Sequence, residues 1–259
     1  MKIRISSLIA VFLVLTLTCS SGLTGEQKIL FQTSTIQALM NGVYDGDFSF
    51  EKLSKHGDLG IGTFQALEGE MVLVEGKFYQ VKADGKVYPV VPTQKTPFSE
   101  VTYFNPNKTL EIREIPNLQR LEDYLSKKLS SLNFPYAFKI TGKFPYIKTR
   151  SVNRQVKPYP PLLEVVKHQA VFEFGDVNGV IVGFYHPKYM EGINVAGYHF
   201  HFLTANRQAG GHLLDCRIRQ ARVEIERLDA LQLRLPDIAE FSNTDLSGDK
   251  KQDIEKVEK

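Results

Sequence analysis

The sequence predicts an α+β or mixed-sheet α/β protein with two strand-rich halves, and three observations support this fold class. Short strand-like segments recur on both sides of one clear amphipathic helix. Glycine-containing pairs separate several of these segments, as tight turns do. The composition, with 42% apolar and 24% charged residues, is that of a globular chain, and it excludes a disordered, collagen-like or heptad-repeat protein.

Residues 1–24 have the pattern of a secretory signal peptide. A positively charged start precedes an apolar run at 8–17, and small residues follow it. A helical run of this length rises about 15 Å, half of a bilayer core of about 30 Å, so we expect no stable membrane span. Thr16 and Thr18 are not the residues that usually surround an acylated cysteine. We therefore favour simple export, to the periplasm or as a secreted protein, over a lipid anchor at Cys19.

The charge and cysteine content of the mature chain exclude two kinds of feature. Of 32 basic residues, Lys2 and Arg4 lie in the leader, which leaves 30 against 29 acidic residues. This balance gives no electrostatic reason to expect a nucleic acid or an anionic membrane as a partner. Cys19 leaves with the leader or lies at its edge, so Cys216 has no partner for an intramolecular disulfide. Stability must then come from core burial or from a bound metal.

The N-terminal half predicts two short helices followed by a β-meander. Residues 34–40 form the first helix, which begins at a serine, and we expect the second directly after Ser49. Strands are predicted at 63–67, 70–74, 77–81 and 86–91. Glu75-Gly76 and Asp84-Gly85 separate them as tight turns, so successive strands are expected to pair with their neighbours.

Residues 118–132 give the clearest helix prediction. One apolar stripe runs along this segment and consists of Leu118, Leu121, Leu125, Leu129 and Leu132. Asn117 can cap the start of the helix, and Asn133 followed by Pro135 ends it. We assign the leucines to the core and give them no functional role.

The second half is again rich in strands. We predict them at 138–142, 171–174, 180–185, 198–203, 212–218 and 222–225. The mature chain is accordingly divided into an N-terminal mixed-sheet domain at 25–148, a C-terminal sheet domain at 149–241 and a charged tail at 242–259. The tail has almost no apolar residues, so its composition predicts a frayed, solvated end.

The C-terminal sheet domain contains a cluster of histidines that predicts a metal site. His199 and His201 are two residues apart on one strand, so they share a face, and the aromatic residues around them point to the opposite, apolar face. If the following hairpin turns at Asn206-Arg207, His212 lies opposite His201, with about 5 Å between their Cβ atoms. All three imidazoles can then bind one ion.

Three histidines with an open fourth position are the donor set of a catalytic zinc site, although other divalent first-row metals also accept imidazole. Cys216 is interpreted as a core residue rather than a fourth ligand. The remaining histidines, His56, His168 and His186, stand apart from the cluster and are interpreted as surface or structural residues.

Several segments around this cluster resemble the alpha-acetolactate decarboxylase family. The histidine segment reads NVAGYHFHF at 194–202 and continues through GGHLLD at 210–215. The other segments that carry the resemblance are GIGTFQALEGEM at 60–71, GKFYQ at 76–80, TRSV at 149–152 leading into Pro158-Tyr159, and GVIVGFY at 179–185. These segments follow the family's order and cover most of the mature chain.

The resemblance implies a site and a reaction. His199, His201 and His212 would be the zinc ligands, and Thr63, Glu70 and Arg150 match positions that line the family's active site. A glutamate near the C-terminus also reaches that site; it falls on Glu258 without gaps, with Glu255 as the alternative. From the residues alone Glu70 would be placed at a solvent-exposed rim, whereas the family pattern buries it.

The implied fold is two mixed-sheet domains with the metal site between them, often assembled as a homodimer. The implied substrate is (S)-2-acetolactate, which is decarboxylated to (R)-acetoin and CO2 through a metal-stabilised enediolate. Arg150 would grip the substrate carboxylate and orient or deliver a proton, although its high pKa makes it a poor acid by itself. No pyridoxal phosphate or thiamine is needed for this chemistry.

Two other kinds of protein remain to be compared with this interpretation. A cupin-type dioxygenase or another three-histidine metalloenzyme also places His-x-His on a strand, but cupins carry a glutamate shortly after the second histidine and residues 203–207 contain none. An exported zinc-binding or zinc-storage protein is the non-enzymatic alternative. Such proteins often carry histidine-rich or acidic low-complexity tracts, which this sequence lacks, and they do not need Arg150 and Glu70. Acetoin production would distinguish the enzyme from a storage protein.

Overall fold

A computed structural model describes residues 28–258 of the chain. In chain order the strands are β1 (Ile29–Thr33), β2 (Phe48–Ser49), β3 (Leu59–Thr63), β4 (Glu70–Val74), β5 (Lys77–Val81), β6 (Val87–Pro89), β7 (Lys95–Thr96), β8 (Ser99–Thr102), β9 (Lys108–Ile115), β10 (Tyr136–Ser151), β11 (Ala170–His186), β12 (Gly197–Thr204), β13 (Gly210–Arg227) and β14 (Ala230–Arg234). The helices are α1 (Ile36–Met40), α2 (Phe50–Leu53), α3 (Leu118–Ser126), α4 (Leu162–Val165), α5 (Ala239–Asn243) and α6 (Lys251–Glu258). Single 3-10 turns lie at Gln65–Leu67, Val166–His168 and Lys188–Met190.

Two large sheets form the molecule, which confirms the predicted mixed, strand-rich fold class. The first has the order β14-β1-β8-β3-β4-β5-β6 and is antiparallel except where β1 and β14 run parallel. Its part β3-β4-β5-β6 is a meander, as predicted, but the first strand of this meander is β3 and not the segment 63–67. The second has the order β10-β11-β12-β13-β9, and β10 also pairs with β13 along most of its length. Four strands of the second sheet therefore close upon themselves.

The two sheets share one apolar layer. Strand residues Leu30, Ile61 and Val72 of the first sheet pack with Val182 and Phe184 of the second. A separate core fills the closed part of the second sheet, where the aromatic residues of β12 pack under α3. Since side chains alternate along a strand, the face of β12 that carries His199 and His201 points out of this core and towards the first sheet.

The helix predicted at 118–132 begins as expected but ends early. Asn117 caps α3 by accepting a hydrogen bond from the Arg120 N–H at 2.9 Å. The helix ends at Ser126, so its predicted end at residue 132 is wrong. After it, the Tyr136 hydroxyl donates to the Ser131 carbonyl at 2.9 Å and pairs with the Ser130 hydroxyl. These side-chain contacts hold the segment in a turn instead of a helix.

Two predictions in the N-terminal half differ from the structure. The segment 63–67 is not a strand: β3 ends at Thr63, and Ala66 and Leu67 have φ values of 58° and 57° in a 3-10 turn. Since Gln65 accepts a hydrogen bond from the Gly46 N–H through its side chain, this turn is held from outside. The first helix begins at Ile36, capped by Thr35, because Ser34 has a φ of 63° and cannot be helical.

The strands of the second half are longer than predicted. The segment predicted as 138–142 belongs to the continuous strand β10, and the segments 171–174 and 180–185 are both part of β11. The predicted domain division between 148 and 149 therefore falls within β10, three residues before its end.

The tail contradicts its predicted solvated state. Its last residues form α6, in which Ile254, Val257 and Glu258 are buried. The low apolar content of the tail predicted a solvated end. Two apolar residues on one face are nevertheless enough to dock so short a helix. The leader at 1–24, with Cys19, lies outside the described residues. Within the described part, no helix is long and apolar enough to cross a membrane.

Candidate metal centre

Three histidines meet on the face of the second sheet that is turned towards the first. His201 of β12 pairs directly with His212 of β13, which confirms the predicted hairpin register, and His199 lies two residues before His201. The ring centroids are 5.1 to 5.4 Å apart. Each ring offers a nitrogen within 4.8 Å of the others, and all three side chains are buried. The cluster can therefore bind one metal ion.

Carboxylates show which ring nitrogens face the centre. His201 Nδ1 lies 2.8 Å from the Met71 carbonyl of β4, and because a carbonyl only accepts, Nδ1 carries the proton. Its Nε2 is thus the free nitrogen, 3.6 Å from Glu70 Oε2. His199 Nε2 and His212 Nδ1 both face Glu258 Oε2, at 3.3 and 3.7 Å. These three nitrogens converge on the space between the two carboxylates.

Burial keeps the histidines neutral. Loss of water lowers the pKa of His201 to about 3, and the hydrogen bond to Met71 offsets only part of this effect. Burial also lowers the pKa values of His199 and His212 well below their ordinary range, and the Arg150 guanidinium lowers both further. At neutral pH all three rings are therefore in the form that binds a metal ion.

Arg150 joins the two carboxylates. It lies on β10 opposite His212, next to a bulge in the pairing, and only 4% of the residue is exposed. Its Nη1 donates to Glu70 Oε1 at 3.3 Å, and its Nη2 lies 3.7 Å from Glu258 Oε1 and donates to the Val257 carbonyl at 3.1 Å. Arg150 Nε has no hydrogen-bond partner within residues 28–258.

Glu70 and Thr63 come from the meander. They face each other across the β3–β4 pair, and the Thr63 hydroxyl donates to the Gly69 carbonyl at 2.7 Å. Glu70 is buried, so its placement at an exposed rim from the residues alone was wrong. Burial raises its pKa to about 7, while Arg150 lowers it and Glu258 raises it by smaller amounts. A group with this pKa exchanges a proton near neutral pH.

Glu258 reaches the centre from α6. Ile254 and Val257 of this helix are buried in an apolar cluster that includes Leu39 of α1 and Leu162 of α4. Glu258 follows directly and is buried, with a raised pKa caused by loss of water. Glu255, the alternative, is exposed. The spacing of the two apolar residues was the signal in the sequence that could have predicted a docked helix.

The histidines and the two carboxylates line a cavity that also has an aliphatic wall. This wall consists of the aliphatic side chains of Ile36, Leu39, Leu67 and Leu162. Thr63, Glu70, Arg150, Glu258 and the three histidines line its polar part, and Gly62, Phe98 and Val152 complete the lining. The structure thus brings every residue of the predicted site to one cavity between the sheets.

The charges around the cluster fit a divalent cation. Glu70, Glu258 and Glu100, the last 3.8 Å from His199, are three buried carboxylates, and Arg150 is the cation that contacts two of them. If all are ionised, two negative charges remain uncompensated, which is costly in a buried site. Within the described chain, Glu258 Oε2 has no hydrogen-bond partner. A divalent metal ion between the histidines would balance the two negative charges and give Glu258 Oε2 a positively charged neighbour.

Sequence reasoning missed a second layer of polar residues behind the histidines. Glu100 of β8, Asn194, Gln32 and His186 are all fully buried, and Asn194 donates to both Glu100 Oε2 and Gln32 Oε1, at 2.9 and 2.8 Å. His186 was interpreted as a surface or structural histidine, and it is a buried one. No spacing rule links these four residues, because they come from three separate strands and from the segment before β12.

Comparison with known proteins agrees with this geometry. The family model for alpha-acetolactate decarboxylase matches residues 30–248. An alpha-acetolactate decarboxylase from Methanosarcina mazei is 47% identical over 231 residues, which cover 89% of this chain and 80% of the relative. The crystal structure of alpha-acetolactate decarboxylase from Bacillus subtilis strain 168 superimposes with a TM-score of 0.87 at 41% identity and covers 89% of this chain and 99% of the other. A Staphylococcus aureus structure, described as a protein of unknown function similar to alpha-acetolactate decarboxylase, gives 0.85 at 29% identity, with 89% and 100% covered.

Proposed function

Since the chain belongs to the alpha-acetolactate decarboxylase family, whose curated members are carboxy-lyases, we propose that it converts (S)-2-acetolactate to (R)-acetoin and CO2. One observation carries this proposal beyond family membership. Three neutral histidines, two carboxylates and Arg150 line one cavity with an aliphatic wall. The family match does not favour a zinc-storage protein or an unrelated three-histidine enzyme.

We propose zinc as the metal, held by His199, His201 and His212. Three imidazoles with an open position are the usual donor set of catalytic zinc sites, and other divalent first-row metals are accepted by the same donors. When bound, the ion acts as a Lewis acid on substrate oxygens and lowers the energy of negative charge that develops there. Glu70 faces His201 Nε2, and Glu258 faces His199 Nε2 and His212 Nδ1. Both carboxylates add negative charge that favours a dication.

Arg150 is proposed to hold the substrate carboxylate. Its planar guanidinium presents five donors, of which Nη1 and Nη2 already contact Glu70, Val257 and Glu258. The Nε–H is buried without a partner in the described chain, so it is available to an anion that enters the cavity. A charge-assisted bond of this kind fixes the orientation of the scissile carbon–carbon bond.

Glu70 is the group that we propose to supply the proton. The bond between the carboxyl carbon and the hydroxyl-bearing carbon breaks, CO2 leaves, and the electron pair remains on the substrate as an enediolate. A proton must then add to that carbon to give acetoin, so each turnover consumes one proton. The pKa of Glu70, raised to about 7, suits proton donation at neutral pH, whereas a guanidinium holds its proton too tightly. Glu70 is left ionised beside Arg150 and regains a proton from solvent.

The aliphatic wall is proposed to contact the substrate's methyl groups. Leu39, Leu67 and Leu162 present no polar side-chain atoms to the cavity. By excluding water, they strengthen the electrostatic contacts of the polar wall.

The deciding experiment is acetoin formation from racemic 2-acetolactate by the purified protein. We expect activity to disappear when the metal is removed with a chelator and to return when zinc is added. A folded, zinc-loaded protein that forms no acetoin would exclude the decarboxylase and favour a metal-storage role. Zinc content alone does not separate these two functions.

Location and assembly are further proposals. Removal of residues 1–24 would release the protein into the periplasm or the medium, and fractionation of cells that produce the full chain tests this. A homodimer is proposed from the family resemblance, and its mass in solution is the test.

A further inference from the structure

Glu100 occupies an unusual position for a charged side chain. It lies on β8 in the middle of the first sheet, with Gln32 of β1 and Ile61 of β3 as its paired neighbours. The residue is fully buried. Because an isolated carboxylate in such surroundings is strongly destabilising, an apolar residue would serve the fold better unless the charge has a partner.

The two oxygens of Glu100 have different surroundings. Oε2 accepts a hydrogen bond from Asn194 Nδ2 at 2.9 Å and lies 2.8 Å from His186 Nε2. Oε1 faces His199 Nδ1 at 3.8 Å. Among the described residues, neither Glu100 Oε1 nor His199 Nδ1 has a hydrogen-bond partner. A buried acceptor and a buried ring nitrogen thus face each other, less than 1 Å beyond hydrogen-bond distance.

From this arrangement we propose that Glu100 is a positioning residue for His199. Glu100 Oε1 accepts the Nδ1–H of His199, which leaves Nε2 as the nitrogen available to a metal ion. The Met71 carbonyl does the same for His201, whose Nδ1 it already holds at 2.8 Å. A ligand whose second nitrogen is held in this way keeps one tautomer and one ring orientation. The inference rests on the proposed metal-binding function.

The surroundings of Glu100 support a positioning role because they hold it rigidly. Asn194 donates to Glu100 and to Gln32, and its own Oδ1 accepts from the Val195 N–H at 2.7 Å. Asn194 lies in the segment that leads into β12, the strand of His199. The carboxylate on the first sheet and the histidine strand on the second are therefore linked through one amide side chain.

Zinc affinity of Glu100→Gln tests this role. The substitution keeps the side chain's size and one oxygen but removes the charge. We expect the zinc Kd, measured by competition with a chromogenic chelator, to rise tenfold to a hundredfold, the usual effect of losing a partner of a metal ligand. Glu226→Gln is the matched control. Glu226 is also a buried glutamate, 1% exposed, and it accepts from the Asn105 N–H at 2.9 Å, away from the histidines.

The possible outcomes distinguish the positioning role of Glu100 from metal binding itself. Glu226→Gln should bind zinc within twofold of the unaltered protein. If Glu100→Gln binds as tightly as this control, the positioning role is wrong while metal binding stands. If the unaltered protein binds no zinc, both proposals fail together. Thermal unfolding of the metal-free variants shows whether a change in affinity reflects the site or a general loss of folding.

A measurement on the unaltered protein keeps the inference open to refutation even if Glu100→Gln does not fold. In a zinc-loaded sample labelled with 15N-histidine, the inference requires His199 to carry its proton on Nδ1. Observation of the opposite tautomer, with the proton on Nε2, would overturn it.

Discussion

Replacing Ile254 with alanine should detach α6 and withdraw Glu258 from the metal centre without altering any group that lines the cavity with a polar atom. Ile254 is 5% exposed and packs in the apolar cluster of α1 and α4. The helix is short and lies at the end of the described chain, so it can undock locally while the two sheets stay folded.

The expected size of this effect follows from the buried volume. Truncating a buried isoleucine to alanine typically costs about 2 to 5 kcal/mol. Because about 1.4 kcal/mol corresponds to a factor of ten, a loss of about 3 kcal/mol lowers the docking equilibrium of α6 more than a hundredfold. Only Val257 and Glu258 then remain as buried contacts of the helix. We expect kcat/KM for acetoin formation to fall at least tenfold.

Two measurements on matched variants test this expectation. Hydrogen exchange should show faster exchange in 250–258 for Ile254→Ala and unchanged protection in β12 and β13. Lys256→Ala removes an exposed side chain from the same helix and should leave both exchange and activity unchanged. Full activity in an Ile254→Ala protein whose α6 exchanges freely would show that Glu258 is not needed. Unchanged exchange would show that the packing of Ile254 does not hold the helix.

Five further substitutions, one of them a control, test individual groups. Arg150→Lys keeps the positive charge but loses the planar fork, and we expect a drop in kcat/KM of about a hundredfold, as for a misplaced substrate, in steady-state assays. Glu258→Gln should lower kcat at least tenfold while Glu255→Gln, on the exposed face, should have no effect. If Glu70 donates the proton, activity should decline as the pH rises through about 7 and the carboxyl ionises; Glu70→Gln should abolish this limb, and a retained limb would exclude Glu70. In the metal-free protein, His201 has a lowered pKa of about 3 when folded, so only the unfolded chain takes up this proton below 6.5. The free energy of unfolding should therefore fall as the pH drops below 6.5. Between pH 7.5 and 5, urea titrations should show a fall that is about 2 kcal/mol smaller for His201→Gln than for the unaltered protein.

The sequence predicted correctly those parts of the fold that depend on residues close together in the chain. The strands at 70–74 and 77–81 are exact because Glu75 and Gly76 both adopt positive φ values, as a tight hairpin turn requires. In the same way, a hairpin turn centred on Asn206-Arg207 predicted that His201 lies opposite His212. The turn at Gln65–Leu67 was missed because Gly46, from a distant part of the chain, stabilises it.

The parts of the site that sequence reasoning could not reach depend on contacts between sheets. Glu100 is surrounded by residues from β1, β3, β11 and the segment before β12, so no local pattern distinguishes it from an exposed glutamate on an edge strand. The tail was misjudged for a related reason. Its composition is that of a solvated end, and only the apolar cluster of α1 and α4 gives Ile254 and Val257 a place to pack.

The candidate metal centre draws its side chains from three parts of the chain. The second sheet supplies the histidines and Arg150, the first sheet supplies Glu70 and Glu100, and α6 supplies Glu258. Burial raises the pKa values of Glu70 and Glu258, and a neighbouring carboxylate raises each further, Glu258 for Glu70 and Glu100 for Glu258. The charges of these two groups therefore destabilise the folded state. A metal ion that binds only the folded protein offsets this cost: at a free concentration of a thousand times its Kd, it stabilises the folded state by about 4 kcal/mol. Cys216 is a free, buried thiol, so no disulfide contributes within the described chain. The ion that we propose for catalysis therefore also explains how the protein tolerates three carboxylates and a guanidinium in its interior.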